Sequence, residues 1–249
     1  NLSMNFNRRN FIRSASVLAA LTISEMQALA AKSQIVNGGK VIEDNDEVYW
    51  HNVRQLFPLS KEWTYLNNCT FGPSPYPVIE AVHNAMIDQD TMGNYGGYDS
   101  TPGKLAKFVG ANDDEIALTR NVTEGINIAC WGVPLQKGDE VILTTHEHVG
   151  NAMPWMTRQK IDGIIVKKYT PGATADETLN RIAALITKKT RVIATPHIPC
   201  TQGQVLPIKQ ICKLAKDKGI MSLVDGAHGA GMMTLNLHDM GCDTYASCC

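Results

Sequence analysis

The chain has 249 residues, of which 44% are hydrophobic and 19% charged, and this ordinary globular mixture excludes collagen, coiled coils and low-complexity disorder. Its 23 Lys and Arg residues nearly balance 24 Asp and Glu residues, so the net charge of -1 gives no reason to expect binding to nucleic acid or to an anionic membrane. The seven cysteines contain no CxxC pair, which argues against a zinc site or a dithiol redox motif.

The N-terminal segment has the pattern of an export signal. The pair Arg8-Arg9 is followed by an uncharged stretch over residues 14–24 and by an A-x-A cleavage pattern at residues 28–30. The uncharged stretch is too short to span a bilayer, which takes about 20 residues, and paired arginines are typical of the twin-arginine signal. We therefore expect residues 1–31 to be a signal read by the twin-arginine export machinery, so that the protein is periplasmic or exported and keeps no membrane segment after signal removal. The alternative is a basic amphipathic first helix.

The next part of the chain is predicted to be a linker that leads into a large domain. Residues 32–60 form a polar linker and N-terminal arm, with a partly amphipathic piece at residues 48–57. A short β-prone run at residues 63–66 is followed by helical spacing of apolar residues at 78–87. We place the large domain at residues 61–249.

From residue 115 onward, predicted strands and helices alternate. Strands are predicted at residues 115–119, 140–144, 163–166, 191–195 and 220–224. Helices are predicted at residues 123–131, 152–160, 174–187 and 207–218. Thr174 or Asp176 could cap the third helix, and Gly219 lies just past the end of the fourth. Such alternation is typical of an α/β fold with a mostly parallel sheet that helices cover on both faces.

Asp225 is the first candidate functional residue, because it ends an apolar strand at the edge of the sheet where open α/β folds bind ligands. A carboxylate that is partly buried there needs a cationic partner, and a protonated pyridinium nitrogen would serve. The alternative is that Asp225 caps the next helix or closes a turn with Gly226. The segment Asp225-Gly226-Ala227-His228 alone leaves both interpretations open.

Two further segments follow predicted strands. Val122 and Thr123 open a helix, and a helix start with a nearby hydroxyl is suited to bind phosphate, although a plain N-cap is favoured when this segment is taken alone. His146 and His148, with Glu147 between them, could suggest a metal site, but they do not share a helical face, so stacking of His148 on a planar ring is favoured and no metal is expected. His197 has the default interpretation of a hydrogen-bonded core histidine.

Taken together, these segments resemble the class V aminotransferase family, a pyridoxal-phosphate-dependent group that includes cysteine desulfurases and isopenicillin N epimerase-like proteins. The resemblance runs from about residue 63 to residue 249 and includes the segments at residues 65–68 and 241–246. It implies an α/β, three-layer fold type I PLP-transferase large domain with a mostly parallel central sheet. It also implies pyridoxal 5'-phosphate as the cofactor.

The resemblance further implies roles for individual residues. Asp225 would pair with the pyridine nitrogen and His148 would stack on the ring face, both as catalytic residues that also bind the cofactor. His228 would hydrogen-bond the phenolic oxygen of the ring. The other implied positions are the phosphate-binding pair Val122 and Thr123 and the substrate-side pair Asn67 and Asn68. Relatives often carry threonine in place of Val122, and Ser or Asn in place of Cys200.

In this family a lysine just after the strand at residues 245–246 forms the Schiff base with the cofactor, and here the sequence stops at Cys249, before that position. We therefore expect a fragment or a truncated product that lacks the C-terminal small domain and is inactive by itself.

For the full-length protein the resemblance implies a pyridoxal-phosphate-dependent enzyme that acts on a small-molecule amino acid through an external aldimine and forms a homodimer. The amino-acid sequence of residues 197–199 and 203–207 is most like that of the isopenicillin N epimerase-like branch. One alternative is a cysteine desulfurase-like sulfur transferase. A second alternative, from another functional class, is a non-catalytic binding protein that keeps the phosphate site without the chemistry.

Overall fold

The computed structural model describes residues 47–68, 71–93 and 100–248, and the chain divides into two compact units between residues 97 and 98. The predicted signal at residues 1–31 lies outside the described residues. Among the residues that are described, no helix is both long enough and apolar enough to cross a membrane.

Within its described residues, the first unit contains two helices, α1 (Glu47–Arg54) and α2 (Tyr76–Met92). Helix α2 confirms the helical spacing seen at residues 78–87, and Gly93 ends it at a φ of 61°, a left-handed conformation that glycine adopts without strain. The strand expected at residues 63–66 is wrong. The Tyr65 hydroxyl instead donates a hydrogen bond to the Phe71 carbonyl oxygen at 2.8 Å, and this run pairs with no strand in the described part of the chain.

The second unit is built on a five-stranded parallel sheet with the order β2-β1-β3-β4-β5. The strands are β1 (Glu140–Thr144), β2 (Ile165–Tyr169), β3 (Thr190–Pro196), β4 (Met221–Asp225) and β5 (Thr244–Ala246). The helices are α3 (Thr101–Val109), α4 (Val122–Gly132), α5 (Val149–Ile161), α6 (Ala175–Ala183), α7 (Ile208–Asp217) and α8 (Leu237–Met240), with a short 3-10 turn at Asp113–Glu115.

Successive strand residues point to opposite faces of the sheet and enter two separate cores. On one face Ile142 and Ile193 pack among apolar residues of α6 and α7. On the other face Val141 and Leu143 pack with Trp155 and with residues of α4 and α5. Because both faces are covered there, the central strands β1, β3 and β4 are mostly buried and apolar, as parallel sheets require, whereas the edge strand β2 carries Lys167 and Lys168. The three-layer α/β prediction is therefore confirmed.

The strand expected at residues 115–119 is also wrong. Glu115 belongs to the 3-10 turn, where its Oε2 accepts a hydrogen bond from the backbone N–H of Asn112 at 2.7 Å. The residues that follow pair with no strand among those described. A cavity of about 420 Å³ is lined both by Ile116 and its neighbours and by Thr244–Ser247 of the β5 edge. A lone extended segment cannot form the ladder hydrogen bonds that define a strand.

The helix ends follow the predicted capping chemistry. Thr174 caps α6, with its Oγ1 accepting a hydrogen bond from the Glu177 N–H at 3.2 Å, which settles the choice between Thr174 and Asp176. Helix α7 begins directly after Pro207, and Gly219 follows it at a φ of 66°.

Candidate functional site

The carboxyl ends of the parallel strands bring the candidate residues to one edge of the sheet. Asp225 is the last residue of β4, His197 follows β3, and His148 lies in the loop after β1. The strand order reverses between β1 and β3, and ligands in open α/β sheets bind at such a switch point.

Asp225 is almost fully buried, with 5% of its surface exposed. Burial holds the pKa of its carboxyl group above the usual range, and the hydrogen bond from the Ala227 N–H at 3.1 Å and the charges of His148 and His228 offset this only in part. The two histidines are therefore close enough to act electrostatically on Asp225. A buried carboxylate of this kind favours a cationic partner.

The backbone around Asp225 is fixed by the neighbouring strands. The His197 N–H donates to the Asp225 carbonyl oxygen at 2.7 Å, and the Gly226 N–H donates to the Ala246 carbonyl oxygen at 2.7 Å. The Ser247 hydroxyl donates to the Gly226 carbonyl oxygen at 2.8 Å. Because β3 and β5 both hold this turn, the side chain of Asp225 has a defined position at the sheet edge.

His197 supports this turn from the interior. It is buried, and its Nδ1 lies 2.8 Å from the Tyr245 hydroxyl in a hydrogen bond. Burial lowers the pKa of His197, so the neutral ring is favoured. The expectation of a hydrogen-bonded core histidine is confirmed, and Tyr245 is the partner that the sequence could not identify.

The start of α4 has the features of an anion site. Val122 and Thr123 are its first two residues, and Asn121 caps it by accepting a hydrogen bond from the Glu124 N–H at 2.9 Å. The Gly125 N–H bonds to the Asn121 carbonyl oxygen. Within the described chain this leaves the amides of Val122 and Thr123 without partners, beside the exposed hydroxyl of Thr123.

His148 occupies the start of the neighbouring helix, α5. Its Nδ1 accepts a hydrogen bond from the Gly150 N–H at 3.0 Å, so the proton of the neutral ring is on Nε2. A Cβ placed on Gly150 would lie 2.7 Å from Thr123 Oγ1 and 3.1 Å from His148 Nδ1. The two helix starts therefore meet at Gly150, which brings Thr123 and His148 together.

The structure does not bring every candidate into this group. His146 faces the loop after β3, where its Nε2 lies 3.2 Å from Gln202 Nε2. Cys200 is exposed in that same loop. Asn67 and Asn68 belong to the first unit, so their substrate-side role stays a prediction.

Glu147 lies beside the predicted residues, and the sequence did not predict its role here. Its Oε1 accepts a hydrogen bond from the Thr144 N–H at 3.0 Å, and its Oε2 accepts one from Asn151 Nδ2 at 2.7 Å. Burial of this carboxyl, with a smaller contribution from Asp225, raises the pKa of Glu147 to about 8 against the hydrogen bonds from Thr144 and Asn151. Its position directly before His148 was the only signal in the sequence.

The group formed by these residues fits pyridoxal phosphate. Free amides and a hydroxyl at the start of α4 suit a phosphate, and the buried carboxylate of Asp225 suits a protonated pyridine nitrogen. The exposed ring of His148 lies next to Thr123 and within electrostatic range of Asp225. The site thus offers complementary charge to both ends of the cofactor.

Comparison with known proteins gives the class. The profile of the aminotransferase class-V family matches residues 80–248, so the chain belongs to the class V aminotransferase family, whose cofactor is pyridoxal phosphate. It is 31% identical over 206 residues to a probable cysteine desulfurase of Methanothermobacter thermautotrophicus, and this match covers 78% of this chain and 51% of the relative. It is 28% identical over 210 residues to the isopenicillin N epimerase of Amycolatopsis lactamdurans, covering 79% of this chain and 52% of the relative.

Solved structures agree on the fold. The cysteine desulfurase CsdA of Escherichia coli superposes with a TM-score of 0.70 at 24% identity, over 84% of this chain and 54% of that one. A mutant of C-DES with glycine covalently linked to its PLP cofactor superposes with a TM-score of 0.70 at 26% identity, over 78% of this chain and 54% of that one. The chain spans about half the length of these relatives.

Gly226→Ala tests the packing beneath Asp225. An added Cβ would overlap the ring of Tyr245, so we expect a loss of about 1–3 kcal/mol in the free energy of unfolding together with weaker pyridoxal phosphate binding, because the turn that carries Asp225 must move. Urea unfolding and cofactor titration measure the two effects. Gly132→Ala is the matched control, since no atom of the described residues beyond its own helix and chain neighbours lies within 4 Å of its Cβ position. Equal behaviour of the two variants would contradict the packing described here.

Glu147→Gln tests the protonation of the buried carboxyl. The folded pKa of about 8 lies above the ordinary 4.5, so the stability that Glu147 contributes is full below pH 4.5 and is lost as the pH rises through 8. Between pH 5 and pH 8 we expect the wild type to lose about 1–3 kcal/mol more than the Gln variant, which does not titrate. Urea midpoints of both proteins at the two pH values give the comparison, and parallel pH profiles would show that Glu147 ionises normally.

Proposed function

We propose that the complete protein is an enzyme that binds pyridoxal phosphate at this edge of the sheet and acts on the Cα of a small-molecule amino acid. The observation that carries the proposal is the buried carboxylate of Asp225, held by β3 and β5 within electrostatic range of His148 and His228. When bound, pyridoxal phosphate withdraws electrons from the Cα of an attached amino acid, which is the chemistry that protein side chains lack.

The residues of the chain divide the work of holding the cofactor. Asp225 holds a proton on the pyridine nitrogen, because its desolvated charge is stabilised by that cation. The amides of Val122 and Thr123 and the Thr123 hydroxyl bind the phosphate. His148 covers the ring with its Nδ1 fixed by Gly150, so its Nε2–H is the group that can reach a substrate. We assign His228 to the phenolic oxygen of the ring.

For the reaction itself we propose an inversion at Cα, as in the isopenicillin N epimerase-like branch. The basis is the amino-acid sequence of the loop after β3. The similarity to the Amycolatopsis epimerase supports this reading. By the family resemblance, a lysine of the complete protein would move the Cα proton.

Cysteine desulfurization is the second candidate, and the names of the relatives at up to 32% identity favour it. The two reactions differ in their products. An epimerase exchanges the Cα hydrogen with solvent and inverts the amino acid, whereas a desulfurase releases sulfur from cysteine and leaves alanine. A protein that binds pyridoxal phosphate but does neither would be the non-catalytic binding protein.

We also propose a homodimer in the complete protein and export through the twin-arginine machinery. The support for export is the order of basic pair, uncharged stretch and A-x-A site in residues 8–30. A protein that loads its cofactor before transport is suited to a route that carries folded proteins.

Asp225→Asn in the complete protein tests the proposed function. The amide cannot hold a proton on the pyridine nitrogen by charge, so we expect the cofactor absorbance to shift and turnover of amino acids to fall by at least about a hundredfold. Asp243→Asn is the matched control, because Asp243 lies at the opposite edge of the sheet, where it accepts a hydrogen bond from the Ser222 N–H at 2.7 Å. Near-normal turnover in Asp225→Asn would reduce Asp225 to a turn residue.

Replacing Arg8 and Arg9 together by Lys tests the export proposal. The change keeps both charges but removes the paired arginines, so we expect the precursor to remain in the cytoplasm while its folding is unchanged. Cell fractionation with an antibody against the protein gives the distribution. Replacement of Arg13 by Lys is the control for a general effect of exchanging arginine for lysine in this segment. Normal export of the double variant would exclude the twin-arginine route.

A further inference from the structure

Glu147 joins the end of β1 to the first turn of α5. One of its carboxyl oxygens accepts a hydrogen bond from the Thr144 N–H, and the other accepts one from the side chain of Asn151. Thr144 is the last residue of β1, and Asn151, with 3% of its surface exposed, is the third residue of α5. Asn151 lines the same cavity as Asp225. Glu147 therefore connects the sheet to the helix that begins at His148, close to the carboxylate of Asp225.

The orientation of His148 depends on this connection. Its Nδ1 is fixed by the Gly150 N–H, and its carbonyl oxygen accepts from the N–H groups of Asn151 and Ala152. All these contacts belong to the first turn of α5, so the imidazole moves with that turn. Since Glu147 bonds Asn151 within the same turn, loss of its carboxyl would free the turn, and the imidazole with it, from the end of β1.

We propose that Glu147 is a positioning residue of the cofactor site, which holds the ring of His148 in place by tying α5 to β1. The inference rests on the proposed function, because His148 has a cofactor ring to cover only if pyridoxal phosphate binds here. Glu147 acts through His148 and touches neither the cofactor nor the substrate.

The groups around Glu147 explain how a second carboxyl group can lie close to Asp225. Burial and the negative charge of Asp225 favour the protonated form of Glu147, while Lys168 and the hydrogen bonds from Thr144 and Asn151 favour the ionised form. Tyr169, whose own pKa is raised by burial, is a further titratable neighbour, and His146 and His148 flank Glu147 in the sequence. A Glu147 that keeps its proton adds no second negative charge beside Asp225. Glutamine is then the conservative replacement, because it is neutral and Asn151 can turn its amide to pair with it.

A double-mutant cycle on the complete protein tests the inference, with the apparent dissociation constant of pyridoxal phosphate as the readout. We expect Glu147→Ala to weaken binding about tenfold, since it leaves buried donors unpaired and His148 unrestrained. Glu147→Gln should stay within about threefold of the wild type. In a His148→Ala background the Glu147→Ala change should have an effect below about threefold, because the group it positions is gone.

Glu177→Ala is the matched control for the loss of a loop contact. Glu177 Oε2 accepts a hydrogen bond from the Ala173 N–H at 2.9 Å in the loop after the neighbouring strand β2, so its removal should leave cofactor binding unchanged. If Glu147→Ala does not fold, the Gln variant in the two backgrounds still decides, since a tenfold loss there would overturn the proposal. Equal losses from Glu147→Ala with and without His148 would also overturn it. A wild type that fails to bind pyridoxal phosphate would refute the proposed function itself.

Discussion

The buried carboxylate of Asp225 is the constraint around which the second unit is organised. Taking such a group out of water costs free energy unless a cation or several donors compensate, and within residues 100–248 the structure gives it one hydrogen bond, from the Ala227 N–H. The backbone on both sides of Asp225 is fixed by β3 and β5, so the chain that carries the buried carboxylate has a defined position. A fold that holds a carboxylate in this way is arranged to receive a cation.

The remainder of the site supplies what such a cation would need around it. The start of α4 presents unpaired amides to an anion, while Asp225 presents negative charge at the end of β4, so the site has opposite polarity at its two ends. A planar ring with a phosphate group and a basic nitrogen matches that polarity. Between the two ends, Gly150 allows Thr123 and His148 to approach, since a larger residue would collide with both.

The sequence predicted the parts of this structure that depend on local pattern. Strands β1, β3 and β4 are apolar runs that must be covered on both faces, and Asp225 is conspicuous because it interrupts one of them at its end. The expected strand at residues 115–119 failed because strand formation depends on a neighbour, and none of the described strands lies beside it. The roles of Glu147 and Tyr245 were not predicted because their partners, Thr144, Asn151 and the Gly226 turn, are set by tertiary packing that spacing does not reveal.

The most direct test of the role of Asp225 is a crystal structure of the complete protein grown with pyridoxal phosphate. We expect the pyridine nitrogen to lie about 2.8 Å from a carboxylate oxygen of Asp225. We also expect the phosphate to be bound by the amides at the start of α4 and the ring of His148 to lie against the cofactor. A cofactor bound elsewhere, or one whose ring nitrogen faces away from Asp225, would contradict this role.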